Sequence, residues 1–240
     1  MLPDRVRIVE VGPRDGLQNE TGVVPSAAKI AFVDGLGAAG LEEIEVSSFV
    51  SSQWVPQLAD AEIVFAGINR RPGVHYTALV PNQKGLERAL AAKATKIAVF
   101  TAASDTFNKK NTNATIAESL QRFMPVIESA RVAGLTVRAY VSTAFYCPYE
   151  GRVAPKAVEG VGRMLINLGC EEISIGDTIG RATPNDLDPV LDLLQPIIPA
   201  SALALHLHDT RGTALANVHH ALRRGVAVFD SSAGGLGGCP

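Results

Sequence analysis

Two histidines separated by a single residue, His206-Leu207-His208, carry the strongest chemical signal in the sequence. Residues two apart in a strand point to the same side, so the imidazoles share one face while Leu205 and Leu207 share the other. Two imidazoles on one face form a chelate for a divalent cation, which a carboxylate can complete. Asp15 is the candidate carboxylate, within Gly12-Pro13-Arg14-Asp15-Gly16-Leu17-Gln18-Asn19-Glu20. The plainer alternative is a pair of hydrogen-bonded core histidines. Beside Asp15, Arg14 offers a fixed guanidinium. It suits a strand-end salt bridge, and also stabilisation of an enolate oxygen as charge develops. Glu45 is an ion-pair partner for that arginine, suited equally to positioning and to plain structure. Asp177 reads as a cap for the turn after it, and the segment 176–180 is too weak a phosphate-loop signal to carry a role. Cys239 lies among Gly234, Gly235, Gly237 and Gly238, where glycine permits close backbone approach and movement. A thiol there can give a proton to a carbanion, although a cysteine judged alone is more often inert.

These residues are far apart in sequence, and the punctuation of the chain supplies a scaffold to gather them. Four times a helical stretch ends in glycine, one further residue follows, and a strand-like run begins: at Gly40, Gly134, Gly169 and Gly225. Glycine just past a helix end takes the left-handed conformation that stops the helix. Filling the intervals gives eight strands, over 6–11, 42–48, 75–80, 96–101, 136–143, 171–177, 203–209 and 227–232. Ser26, Thr115 with Glu118, and Thr183 followed by Pro184 supply helix starts. Strict alternation demands a mainly parallel sheet, and eight repeats favour an α/β fold closed as a (β/α)8 TIM barrel. No Gly-x-Gly-x-x-Gly follows the first strand, which weakens a dinucleotide-binding alternative. Functional residues in such barrels sit at the C-terminal strand ends. Asp15, His206 and His208 all fall there, and closure brings strand 1 near strand 7. One catalytic domain is expected over 1–240. No helix pattern follows the eighth strand, so the barrel reads as C-terminally incomplete, without its eighth helix.

Composition narrows the function classes. The chain has 240 residues, 47% hydrophobic and 19% charged, with a formal charge of −2. That supports a well-filled core and argues against a nucleic-acid binder, which would show a basic face. An anionic ligand would need local cations such as Arg14, Lys109 or Lys110. Cys147, Cys170 and Cys239 are too scattered for a disulfide framework or a structural zinc site, and the first two read as packing residues. His219 and His220 read as surface or satisfied-core residues, and Trp54 and His75 carry no separable signal. The expectation is a cytoplasmic protein with no membrane or nucleic-acid partner.

Several segments, taken in order, resemble the 3-hydroxy-3-methylglutaryl-CoA lyases. They are residues 12–20, Ser47-Ser48-Phe49-Val50 with Trp54-Val55-Pro56-Gln57, and Gly176-Asp177-Thr178. His206-x-His208-Asp209-Thr210 with Ala214-x-Ala216-Asn217 follows, and Gly234-Gly235-Leu236-Gly237-Gly238-Cys239-Pro240 ends the match. The isopropylmalate and homocitrate synthases share the Arg-Asp-Gly and His-x-His elements but not the final loop. The resemblance implies a metallolyase using Mg²⁺ or Mn²⁺ held by Asp15, His206 and His208. It implies retro-Claisen cleavage of an acyl-CoA to acetyl-CoA and acetoacetate, as in leucine breakdown. Arg14 would stabilise the departing enolate and Cys239 would handle its proton. Glu45 and Asp177 match active-site positions, and Gln18, Ser48 and Ser174 substrate-contacting ones. Asp15 and the histidines remain open as candidates for the base. The family's fourth ligand, an asparagine beyond the cysteine loop, falls after Pro240, so weakened metal affinity and stability are expected. Three rivals stand beside this reading: a lyase for a longer-branched 3-hydroxyglutaryl-CoA, a Claisen-condensing acyl transferase, and a non-catalytic barrel. The partner class is a small acyl-CoA, with a homodimer as the assembly to check.

Overall fold

A computed structural model describes residues 2–238. Eight strands close into one parallel barrel. They are β1 (Arg7–Glu10), β2 (Glu43–Ser48), β3 (His75–Leu79), β4 (Lys96–Ala102), β5 (Thr136–Ser142), β6 (Glu172–Asp177), β7 (Leu203–Leu207) and β8 (Val228–Ser231). Closure joins β1 to β8 in register, with Val9 opposite Asp230. The crossovers carry α1 (Ser26–Ala38), α2 (Ala61–Gly67), α3 (Gln83–Ala91), α4 (Asp105–Thr112), α5 (Ile116–Val132), α6 (Pro155–Leu168), α7 (Pro184–Leu194) and α8 (Ala214–Arg223). Each expected strand is present within two residues of its expected ends, and no α-helix follows β8 among the described residues.

Local chemistry accounts for most boundaries. Gly40, Gly134, Gly169 and Gly225 have φ of 91°, 77°, 100° and 84°, the left-handed stop that their spacing predicts. Thr115 and Glu118 form the expected capping box at α5, and the Asp186 carboxylate accepts from the Thr183 amide at 3.0 Å at the start of α7. Ser26 departs from expectation. Pro25 takes the cap position of α1, and the Ser26 hydroxyl donates instead to Asp60 Oδ2 at 2.6 Å. A short two-stranded ribbon, Tyr146–Cys147 with Gly151–Arg152, and a separate α4 were not legible in advance.

The strand faces divide as a barrel requires. Outward residues such as Ile44, Val46, Ile97, Val99, Ile173, Ile175 and Leu205 pack in the main core shared with the helices. The inward face is strongly polar at the N-terminal end of the barrel, where Arg7, Lys96 and Arg138 interleave with Glu43 and Glu172. Lys96 Nζ lies 2.7 Å from Glu43 Oε1, and Arg138 Nε lies 3.1 Å from Glu172 Oε1. Arg7 reaches both glutamates. Charges this deep are tolerable only when paired, and removing one partner from such a set costs about 3–5 kcal/mol. The floor therefore seals the axis and leaves the opposite end for chemistry.

Candidate metal and active site

At the C-terminal mouth of the barrel, a one-turn π-helix, Gly12–Gly16, follows β1 and carries Arg14 and Asp15 inward. The turn is tight: the amides of Arg14, Asp15 and Gly16 all donate to the Val11 carbonyl, at 3.1, 2.7 and 3.3 Å. Single-turn π segments are rare and concentrate at functional sites. Across the mouth, His206 lies at the end of β7 and His208 just beyond it. The Asp15 Oδ2–His206 Nε2 distance is 3.6 Å, and the two Nε2 atoms of the histidines are 3.2 Å apart. One ligand atom from each of the three residues lies within 4.8 Å of the others. Two ring nitrogens this close, with a carboxylate oxygen beside them, are near enough to share one cation. This nitrogen and oxygen donor set, open toward the cavity, fits a divalent cation.

The charge states of Asp15 and His208 support that fit. Burial, then the neighbouring His206, push His208 down to about 4, so it is neutral near pH 7. Burial acts upward on Asp15, but Arg14 and the histidines outweigh it and hold the carboxyl below its usual range. Arg14 is buried yet stays charged, because Asp15 and Glu45 more than offset its desolvation. Its Nη2 lies 3.0 Å from Glu45 Oε2, and Tyr140 donates to that same oxygen at 2.7 Å. The guanidinium carbon also sits 5.4 Å from the Tyr140 ring centroid. Arg14 is therefore clamped on three sides.

A cavity of about 470 Å³ opens over this cluster, lined by Arg14, Asp15, Gln18, Ser174, His206 and His208 among others. Trp54, silent in the sequence, stands on its rim at 73% exposure. Three expected site residues do not line the cavity: Glu45 stands behind Arg14, and Asp177 and Ser48 are taken by other partners. Asp177 turns outward and spends its carboxylate on the amides of Arg181 and Ala182, at 3.1 and 2.9 Å, the turn-capping role. Ser48 is buried and accepts from the Val50 amide at 3.1 Å. Strand parity explains Asp177. Ser174 faces the cavity from β6, so Asp177, three residues on, faces away. On β2 the register shifts between Glu45 and Ser47, so the alternation does not carry through to Ser48, whose hydroxyl is occupied by the Val50 amide. Cys239 lies outside the described residues. Lys109 pairs with Asp105 and Lys110 stacks on Tyr149. His220 meets Asp188 at 2.8 Å, while Cys147 and Cys170 are buried as expected.

Two residues of the site were missed. Tyr140 is one; Asp230 of β8 is the other, and its side chain is 1% exposed. Its Oδ1 pairs with Arg138, and its Oδ2 meets His206 Nδ1 at 2.9 Å and Ser174 Oγ at 3.0 Å. Burial acts upward on this carboxyl, but Arg138 and His206 prevail and bring it down to about 2. Its folded pKa lies below the ordinary 3.8, so its stabilisation is present above pH 3.8 and is lost as pH falls toward 2. The difference is worth about 2 kcal/mol. Acid unfolding followed by circular dichroism should show this loss in the wild type, and Asp230→Asn should lack it.

The segment 176–180 has a structural part to play. Gly180 has φ of +57°, and a Cβ there would lie 2.5 Å from Thr210 Oγ1 and 2.8 Å from the Thr210 amide nitrogen. Gly180→Ala would push the loop that follows His208. We expect it to destabilise the fold by about 1–3 kcal/mol and to weaken divalent-metal binding, readable by thermal melting and metal titration of one preparation.

Comparison with known proteins agrees with this geometry. The chain is 55% identical over 239 residues to a rat protein named 3-hydroxy-3-methylglutaryl-CoA lyase, cytoplasmic, covering all of this chain and 70% of that one. It is 53% identical to a Pseudomonas aeruginosa protein named 3-hydroxy-3-isohexenylglutaryl-CoA/hydroxy-methylglutaryl-CoA lyase, covering all of this chain and 80% of that one. The crystal structure of the HMG-CoA lyase from Brucella melitensis superposes with a TM-score of 0.98 at 54% identity, over 99% of this chain and 84% of that one. The family described as HMGL-like matches residues 5–239. On a match of that extent, with the barrel built as described, the chain belongs to the HMGL-like family.

Proposed function

We propose that this protein is a metal-dependent carbon–carbon lyase that cleaves 3-hydroxy-3-methylglutaryl-CoA to acetyl-CoA and acetoacetate. The observation that carries the reading is the convergence of Asp15, His206 and His208 beside a clamped Arg14 in one cavity. Asp15, His206 and His208 would hold the cation, Mg²⁺ or Mn²⁺. A bound cation supplies Lewis-acid chemistry, lowering the pKa of a coordinated hydroxyl.

Retro-Claisen cleavage asks three further things of the chain. A base takes the proton of the C3 hydroxyl, so that its oxygen becomes the new ketone as the C2–C3 bond breaks. Asp15 and the two histidines are the candidates for that base. Positive charge must meet the thioester oxygen as the bonding pair moves into an enolate, and Arg14 supplies it without reorganisation, because Glu45 and Tyr140 already fix its plane. A proton then goes to C2, and Cys239 is the donor in this reading. Gln18 and Ser174 contact the substrate from the cavity wall.

A second substrate has a specific observation behind it, since one relative's name includes a longer-branched acyl-CoA. The test is acetoacetate release from 3-hydroxy-3-methylglutaryl-CoA after chelation and again with Mg²⁺ or Mn²⁺ restored, the isohexenyl homologue run in parallel. Metal-restored cleavage of the methyl substrate is expected. No cleavage of either substrate with metal present would sink the proposal. A cytoplasmic location belongs to the same reading. No helix of the described residues is long and apolar enough to cross a membrane.

A further inference from the structure

Asp230 belongs to none of the motifs that mark the site, yet it holds one of the proposed metal ligands. We propose that Asp230 is a positioning residue that fixes the tautomer of His206, so that Nε2 presents a lone pair to the cation. The inference rests on the metal-site reading above.

The placement follows from the barrel. The β8–β7 register sets Phe229 opposite Leu205, which puts Asp230 level with His206, both facing inward. The two carboxylate oxygens then divide their partners. Oδ1 is taken by Arg138, a fully buried guanidinium also ion-paired with Glu172 and 4.9 Å from the Tyr140 ring centroid. Oδ2 receives Ser174 Oγ at 3.0 Å and faces His206 Nδ1 at 2.9 Å. An ionised carboxylate only accepts hydrogen bonds. Nδ1 must therefore carry the proton, and in the neutral ring Nε2 is left unprotonated. It is Nε2 that faces His208 Nε2 at 3.2 Å and Asp15 Oδ2 at 3.6 Å. The ring is held at one nitrogen and free at the nitrogen the cation needs, the usual logic of a carboxylate behind a ligating histidine. Arg138 holds the carboxylate in turn, so orientation passes from the barrel floor to the site through one buried side chain.

The isosteric change Asp230→Asn separates this role from simple packing. Arg138 has no acceptor and claims the amide oxygen of the new side chain. The amide NH₂ then faces Ser174 and His206. Nδ1 must accept from it, which moves the ring proton to Nε2, into the position the cation would take. A side chain that merely filled space would leave the tautomer alone.

Two measurements test this. The first uses metal-free wild-type protein with ¹⁵N-labelled histidine, at alkaline pH where the rings are neutral. With five histidines in the chain, His206→Gln assigns the resonance. We expect His206 protonated at Nδ1, and protonated at Nε2 in Asp230→Asn; an Nε2–H tautomer in the wild type overturns the inference. The second is Mn²⁺ titration followed by electron paramagnetic resonance. We expect Asp230→Asn to bind Mn²⁺ about 10–100-fold more weakly than wild type, and equal affinity overturns the inference. Should wild type bind no Mn²⁺, the metal-site reading fails, while the tautomer spectrum still decides the role of Asp230. That spectrum needs no stable Asp230 variant.

Discussion

Arg14→Gln should lower kcat by about 10²–10³-fold, the cost typical of removing one fixed donor from a developing oxyanion, while divalent-metal affinity changes by no more than about threefold. The two quantities separate because Arg14 acts at different distances on different charges. Asp15 loses the guanidinium that holds its carboxyl low, but an ordinary aspartate is still ionised near neutral pH, so the ligand survives. The thioester oxygen has no comparable substitute, since glutamine brings a dipole where a full charge stood. Glu45 is buried and would lose a cation 3.0 Å away, so the variant should also melt earlier, and kinetics belong well below its transition. Arg14→Lys sharpens the test. Lysine keeps the charge but lacks the planar fork that meets Asp15 and Glu45 together, so an intermediate rate is expected. A large loss of metal binding in Arg14→Gln, with turnover restored at saturating metal, would show that Arg14 serves the ligand set and not the enolate.

His208→Ala should do the reverse. Metal affinity should fall by more than the roughly 10–100-fold that changes behind a ligand cost, with only a small effect on the melting temperature of metal-free protein. His208 bonds to no described side chain except His206, and it is neutral near pH 7. Its removal therefore leaves no charge unpaired. Isothermal titration with Mn²⁺ and a melting curve without metal check both halves, and excess metal should recover part of the activity. A drop in stability without loss of metal binding would instead support the hydrogen-bonded core-histidine reading of the pair.

The sequence made these residues visible to different degrees, and the reasons are physical. His206 and His208 announce themselves because strand periodicity is two and a charged or polar pair in an apolar strand has to face something. Asp15 was legible through fold closure, since the end of strand 1 returns to the neighbourhood of strand 7 only in a barrel. The four glycine stops were legible because a left-handed helix end narrows the choice of residue more than any strand position does. Asp177 and Ser48 show the limit. Motif position suggested the site; counting parity from Ser174 turns Asp177 away, whereas the bulge between Glu45 and Ser47 breaks the count before Ser48. The same count would have flagged Tyr140 and Asp230, each inward in its strand. Their partners, Glu45 at one and Arg138 with His206 at the other, come from distant strands. Only three-dimensional closure reveals them.

The barrel floor has a consequence for how this sequence is free to drift. Arg7, Lys96 and Arg138 stand against Glu43, Glu172 and Asp230, three cations to three carboxylates with little water to absorb an imbalance. A single neutral replacement strands a partner, so the accessible evolutionary steps are paired ones. Among homologues these six positions should covary as a block, changing together or staying put. A homologue that exchanges one of them alone should carry a compensating change at a neighbour in the same ring.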